Sequence, residues 1–282
     1  MEIIVGKTAG FCYGVKRAVE GAIKELDKDS NIDCLGEIVH NKQVIKELES
    51  KGLKFIEKIE DSSGTTIIRA HGVTEEIYQF AKKNQIKIKD YTCPNVLKIH
   101  KIAEEYYQKG YYIFLCGSKN HPENIGTVSY CGNNCSILEK QEDLKQAIEE
   151  LEKKGIKKLL LIAQTTYSLQ KFNEIKNEIQ KIIPKDIEVV VKNTICKATE
   201  LRQIETEELS KNVDYMIIIG GKNSSNTKKL YEIAIKNCRN SICIETKEEL
   251  NIDEIKKHKK IGIMAGASTP ENSILEVINA IS

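Results

Sequence analysis

The chain has 282 residues, 40% hydrophobic and 30% charged, with a formal net charge of +2. That is an ordinary globular balance, and it gives no electrostatic case for nucleic acid, although 39 of the 43 basic residues are lysines. No apolar run approaches the ~18 residues of a membrane span, and the N-terminus lacks a signal peptide's charged head and apolar run, so no membrane association is expected and the expected location is cytoplasmic.

The predicted elements alternate strand and helix from the first residues. A strand over 2–5 leads through a glycine-rich turn to Cys12 and a helix over 14–27. A strand over 32–35 leads to His40 and a helix over 41–51. The next, over 65–69, leads to His71 and a helix over 74–84. A strand over 86–89 runs to Cys93, where Pro94 opens a helix over 94–109. Strands are expected over 112–116 and 127–130, on either side of "GSKNHPENIG" with His121 and Glu123. A helix over 141–154, a strand over 159–163 leading to Thr165 and Thr166, and a helix over 169–182 follow. A strand over 188–192 leads to Cys196 and a helix over 197–209. The last strands are expected over 215–219, 241–244 and 260–264, with helices over 226–238, 247–257 and 271–280.

This alternation predicts an α/β fold with mostly parallel sheets. By strand count it divides into three units of roughly 90 residues, near the lower end of domain size, over 1–94, 95–192 and 193–282. Ligands of such sheets bind beyond the carboxyl ends of strands, and Cys12, Cys93 and Cys196 each follow one. Their spacings, 81 and 103 residues, match no compact zinc or ferredoxin motif. By spacing alone each is a core thiol or a metal ligand. A helix start just after Cys93 and just after Cys196 favours the thiolate. Three thiolates would satisfy three corners of an iron–sulfur cubane and leave its fourth iron open. Cys34 and Cys116 read as strand-interior packing, and Cys131 with Cys135 makes at most half a zinc site. His40, His71 and His121 stand at strand ends beside turns suited to an anion, where together they could hold a phosphate or diphosphate. Ser224, Ser225 and Asn226 in "KNSSN", with Ser268 and Thr269 in "AGASTPE", read either as helix caps or as a bed of donors for the same group. Glu123 is either a first-turn acid or a proton donor in a cleft. No glycine-rich nucleotide fingerprint follows a strand.

"GFCYGVKRA", "EIVHN", "AHGV", "TCP", "HPE", "QTT", "GGKNSSNT" and "AGASTP", in this order, resemble the 4-hydroxy-3-methylbut-2-enyl diphosphate reductase family over essentially the whole chain. The resemblance implies a trefoil of three small α/β domains around a central cavity. It implies one [4Fe–4S] cluster held by Cys12, Cys93 and Cys196, whose open iron takes the substrate hydroxyl. The substrate diphosphate would lie among His40, His71, His121, Ser224, Ser225, Asn226 and Ser268. Glu123 would be the proton source, Thr165 would position the hydroxyl or relay the proton, and His121 would serve both tasks. Two electrons and protons would then remove the hydroxyl as water, giving isopentenyl or dimethylallyl diphosphate. A ferredoxin or flavodoxin is the expected electron donor and a monomer the expected state, with a dimer as the alternative. Tyr13, Tyr91, Asn120 and Arg69 depart from the usual pattern beside these motifs without removing a proposed ligand. The competing accounts are a three-cysteine [4Fe–4S] dehydratase resembling quinolinate synthase, a zinc hydrolase, and a non-catalytic iron–sulfur sensor or diphosphate-binding module.

Overall fold

Segments such as "KLLLIA" and "YMIII" carry apolar side chains at consecutive positions. Such strands must be covered on both faces, which is the requirement of a parallel sheet between helices. The computed structural model describes residues 1–282 and contains three four-stranded sheets, all pairings parallel. The contacts divide the chain into two compact units.

One unit comprises Met1–Ile23, Val39–Gly52 and Lys197–Ser282. Its sheet is built from β1 (Glu2–Val5), β10 (Tyr215–Ile219), β11 (Ser241–Ile244) and β12 (Lys260–Ala265), in the order β1-β12-β10-β11. Tyr215, Ile217 and Ile219 pack on one face, and Met216 and Ile218 on the other. The helices of this unit are most of α1 (Tyr13–Leu26), α2 (Lys42–Ser50), α8 (Lys197–Ser210), α9 (Ser225–Asn237), the short α10 (Ile252–Ile255) and α11 (Glu271–Ile281). The N-terminal strand pairs with β12, from Glu2 opposite Lys260 to Val5 opposite Ile263. The contiguous division at 94 and 192 does not contain that pairing.

The other unit comprises Lys24–Ile38 and Leu53–Cys196 and holds two sheets. The first joins β2 (Ile32–Leu35), β3 (Lys54–Ile56), β4 (Thr65–Ile68) and β5 (Lys87–Asp90) in the order β3-β2-β4-β5, with α3 (Glu75–Lys83). The second joins β6 (Tyr112–Cys116), β7 (Cys135–Leu138), β8 (Lys158–Ala163) and β9 (Glu188–Val191) in the order β7-β6-β8-β9. Its helices are α4 (Pro94–Gln108), α5 (Pro122–Ser129), α6 (Asp143–Lys153) and α7 (Leu169–Ile182). Along β8, Leu159, Leu161 and Ala163 face one apolar cluster while Leu160 and Ile162 face another.

All three sheets share one order. Taken in sequence as first to fourth, the strands lie second, first, third, fourth. The sheet of the first unit obeys this only when β1 is read as the fourth strand, after β10, β11 and β12. The repeat is circular, and no sequence period announces it.

Three elements differ from expectation. Residues 127–130 are not a strand. Thr127–Ser129 close α5, because Pro122 at the first helical position and His121 as its cap start a helix that overrides the β-branched Thr127 and Val128. The second strand of that sheet is instead β7. The three-residue β3 follows a turn in which Gly52 takes a φ of +99°, and is too short to leave a period. The helix expected over 247–257 is a 3-10 turn at Lys247–Glu249 followed by α10.

Candidate active site

The residues singled out from the sequence all lie just past the carboxyl ends of strands. The first strand of each sheet leads to His40, to His121 and Glu123, or to Ser224–Asn226. The third leads to His71, Thr165 or Ser268, and the fourth to Cys93, Cys196 or Cys12. The cysteine after each fourth strand donates its N–H to a carbonyl just beyond the third: Cys93 to Ala70 at 3.0 Å, Cys196 to Thr165 at 2.9 Å and Cys12 to Ala267 at 3.1 Å. Each thiol therefore stands at the same point of its sheet.

In the unit that ends at Cys196, the start of α5 sets the chemistry. Nδ1 of His121 accepts the Glu123 N–H at 3.2 Å. An accepting Nδ1 puts the proton of the neutral ring on Nε2, where it can be donated outward. The rings of His71 and His121 meet edge to face with centroids 5.5 Å apart. Glu123 is only 2% exposed. Its Oε1 accepts the Thr165 N–H and its Oε2 the Thr165 hydroxyl, both at 2.6 Å. Burial pushes the carboxyl up, the two Thr165 bonds pull it part of the way back, and the pKa comes to about 7. A buried acid near neutrality can hand over a proton and recover it.

Three neighbours were not singled out as site residues from the sequence. Asn124 Nδ2 donates to Gln164 Oε1 at 2.9 Å and to the Ser118 carbonyl at 2.8 Å, and Gln164 Oε1 also accepts the Ser118 N–H at 3.2 Å. This brace ties the Glu123 helix to the Thr165 loop. Its only sequence signal was that Asn124 follows "HPE" and Gln164 opens "QTT". Asn95 donates to Cys196 Sγ at 3.1 Å.

In the unit that contains both chain termini, Ser224 caps α9 and accepts the Thr227 N–H at 3.4 Å. Asn226 is 3% exposed, and both its amide nitrogen and its amide oxygen lack a hydrogen-bond partner. An orphaned amide at the start of a 13-residue helix is the donor arrangement of an anion seat. Ser268 Oγ donates to the His40 carbonyl at 3.3 Å. Gly221 is required there, because a Cβ would lie 2.3 Å from that same oxygen.

Cys12, Cys93 and Cys196 are half-buried, while Cys34 and Cys116 are fully buried in β2 and β6, the packing role expected of them. The expected cofactor, one [4Fe–4S] cluster on three cysteines with an open iron, is corrected by the ligand geometry. The one group of three or more histidine, cysteine or acidic side chains whose ligand atoms lie within 4.8 Å of one another is His40, His71 and His121. Cys12, Cys93 and Cys196 form no such group. Imidazole nitrogens are not the thiolate set that a cubane takes. No helix is long and apolar enough to cross a membrane.

Residues 3–282 match the family described as LytB protein. A 4-hydroxy-3-methylbut-2-enyl diphosphate reductase from Thermoanaerobacter sp. (strain X514) is 44% identical over 287 residues, covering 100% of this chain and 96% of that protein. One from Clostridioides difficile (strain 630) is 44% identical, covering 99% and 98%. Among solved structures, the E-1-hydroxy-2-methyl-but-2-enyl-4-diphosphate reductase from Plasmodium falciparum superposes with a TM-score of 0.90 at 32% identity, covering 99% of this chain and 87% of that one. A structure titled as (E)-4-hydroxy-3-methyl-but-2-enyl diphosphate reductase, the terminal enzyme of the non-mevalonate pathway, gives 0.71 at 40% identity, covering 100% and 99%.

Proposed function

The chain belongs to the LytB protein family, and on that premise we infer the reaction and the residues that perform it. The chain is an oxidoreductase of isoprenoid synthesis. It reductively dehydroxylates 4-hydroxy-3-methylbut-2-enyl diphosphate to isopentenyl and dimethylallyl diphosphate, the last step of the non-mevalonate route. Two electrons and two protons enter; the C–O bond breaks, one proton leaves with the hydroxyl as water, and the other is added to carbon. Addition at one or the other end of the allylic unit gives the two products.

Glu123 is the proposed proton donor, and its buried carboxyl titrating near neutrality is the observation that carries this assignment. Thr165, bonded to both carboxyl oxygens, orients that acid and relays its proton or positions the substrate hydroxyl. His121 is proposed both to bind diphosphate and to assist the transfer through Nε2. For the diphosphate itself we propose His40, Ser224, Ser225, Asn226 and Ser268, together with His71 and His121. The unpartnered Asn226 amide at the start of α9 supports this set. Cys12, Cys93 and Cys196 are proposed as thiols required for turnover, on their equivalent places after the fourth strands. A ferredoxin or flavodoxin is the proposed electron donor, a cytoplasmic monomer the proposed state.

The test is turnover of the anaerobically purified protein with 4-hydroxy-3-methylbut-2-enyl diphosphate and a reduced low-potential donor, following both five-carbon products. Glu123→Gln should bind the substrate and fail to reduce it. Full reduction by that variant would remove Glu123 from the mechanism.

A further inference from the structure

The loop that carries Cys12 has a sequence that should not hold one shape. Residues 6–12 read Gly-Lys-Thr-Ala-Gly-Phe-Cys, with two glycines and no proline to restrict the backbone. Gly10 takes a φ of +99°, open to few other residues. Two side chains of α8 grip this loop from outside.

Glu205 accepts the Lys7 N–H at 2.6 Å, the Thr8 N–H at 2.8 Å and the Thr8 hydroxyl at 2.5 Å. Burial works to raise its pKa, but the Thr8 and Lys7 bonds outweigh it and hold the carboxyl below its ordinary value. Charge-assisted bonds to two successive amides fix the entry of the loop. Arg202 is 4% exposed and fixes the exit. Its Nη2 donates to the Gly10 carbonyl at 2.6 Å, and its Nη1 to the Ala198 carbonyl of its own helix at 3.1 Å. The guanidinium thus bolts the loop to the first turn of α8, which begins at the residue after Cys196. Neither side chain belongs to the apolar clusters of this unit.

We propose that Arg202 and Glu205 are positioning residues for the reduction, setting the place of the Cys12 thiol by holding the 6–12 loop. This rests on Cys12 being required for turnover. A displacement of about 1 Å at a reacting group can cost about 10²-fold in rate, whereas the proposed diphosphate donors lie elsewhere, Ser224 and Asn226 at the start of α9 and Ser268 after β12.

The test compares wild type, Glu205→Gln, Arg202→Met, Arg202→Lys and Cys12→Ser in the intact chain, reading kcat, KM and peptide-level hydrogen exchange. Glu205→Gln is nearly isosteric and keeps the fold testable should Arg202→Met fail to fold. It should speed exchange in the peptide over 6–12 while leaving β12 protected, and lower kcat by roughly 10- to 100-fold with KM within about threefold. Arg202→Lys should fall between wild type and Arg202→Met, since it keeps the charge without the two-pronged geometry. A loosened loop with unchanged kcat, or a rise in KM alone, would overturn the positioning role. Turnover that survives Cys12→Ser would instead remove the role of Cys12 beneath it, and the two failures are read separately.

Discussion

Replacing Glu123 by glutamine should alter turnover and stability together, through one proton. The substitution keeps the shape, and the Thr165 hydroxyl can rotate to accept from the new amide while the Thr165 N–H still finds an oxygen. The native carboxyl titrates at about 7 against 4.5 for the ordinary group, so between those values the folded chain holds a proton that the unfolded chain has lost. The contribution of Glu123 to stability is therefore fully present below about pH 4.5 and is lost as pH rises through about 7. A shift of that size corresponds to about 3 kcal/mol, of which about 2–3 kcal/mol falls between pH 5 and pH 8. Denaturant unfolding of wild type and variant at a series of pH values isolates it, because every other group cancels in the difference. The variant should gain on wild type by about that amount as pH rises across this window. In the same window wild-type kcat should fall as the acid deprotonates. The variant should lose that limb and run about 10²- to 10⁴-fold slower. Stability curves that stay parallel from pH 5 to pH 8, or a variant with the wild-type pH profile, would refute the argument.

Thr165→Val should remove the bond to Glu123 Oε2 while leaving the one from the backbone N–H, moving the alkaline limb of the rate profile, the one Glu123 sets, upward in pH and lowering kcat, measured by steady-state kinetics at several pH values. Asn226→Leu should raise KM for the diphosphate substrate by about 10- to 100-fold, one lost charge-assisted contact, with a smaller change in kcat; calorimetric titration with inorganic pyrophosphate checks the same contact without turnover. Gly221→Ala should displace the His40 segment, since its methyl would sit 2.3 Å from a carbonyl oxygen, and so weaken substrate binding while leaving the Glu123 pH limb in place. Leu160→Ala, at a fully buried position in β8, should cost about 2–5 kcal/mol of stability, read by denaturant unfolding, with little change in substrate KM.

Much of this was legible because strand ends write themselves plainly in the chain. "YMIIIG" and "KLLLIAQTT" give an apolar run, a stop and a polar turn, so most of the strands and the place of Ser224 and Thr165 at strand ends followed from pattern alone. Other features had no local signature. The α5 segment contains Thr127 and Val128, whose β preference masks a helix set by its first two residues. The pairing of β1 with β12 joins residues more than 250 positions apart, beyond any periodicity. The pKa of Glu123 belongs to its burial and to Thr165, neither of which "HPE" discloses. Asn124, Gln164, Arg202 and Glu205 act by what they hold, and spacing in sequence carries no record of that. The cofactor expectation rested on family resemblance and equivalent loop positions, whereas the side chains that gather are His40, His71 and His121.

The circular strand order bears on how the chain reaches its native state. β1 leaves the ribosome more than 250 residues ahead of its sheet partner β12. The two sheets of the unit that closes at Cys196 draw on contiguous stretches and can form as they emerge. The sheet with β1 cannot, and its closure entails a loop of more than 250 residues, the kind of non-local pairing that slows folding. Until then an apolar edge of β12 has no neighbour, which invites pairing with other chains. Since β1 leads into the Cys12 loop, a thiol made early is set in place late, so synthesis through β12 should precede activity in any time course of synthesis and refolding.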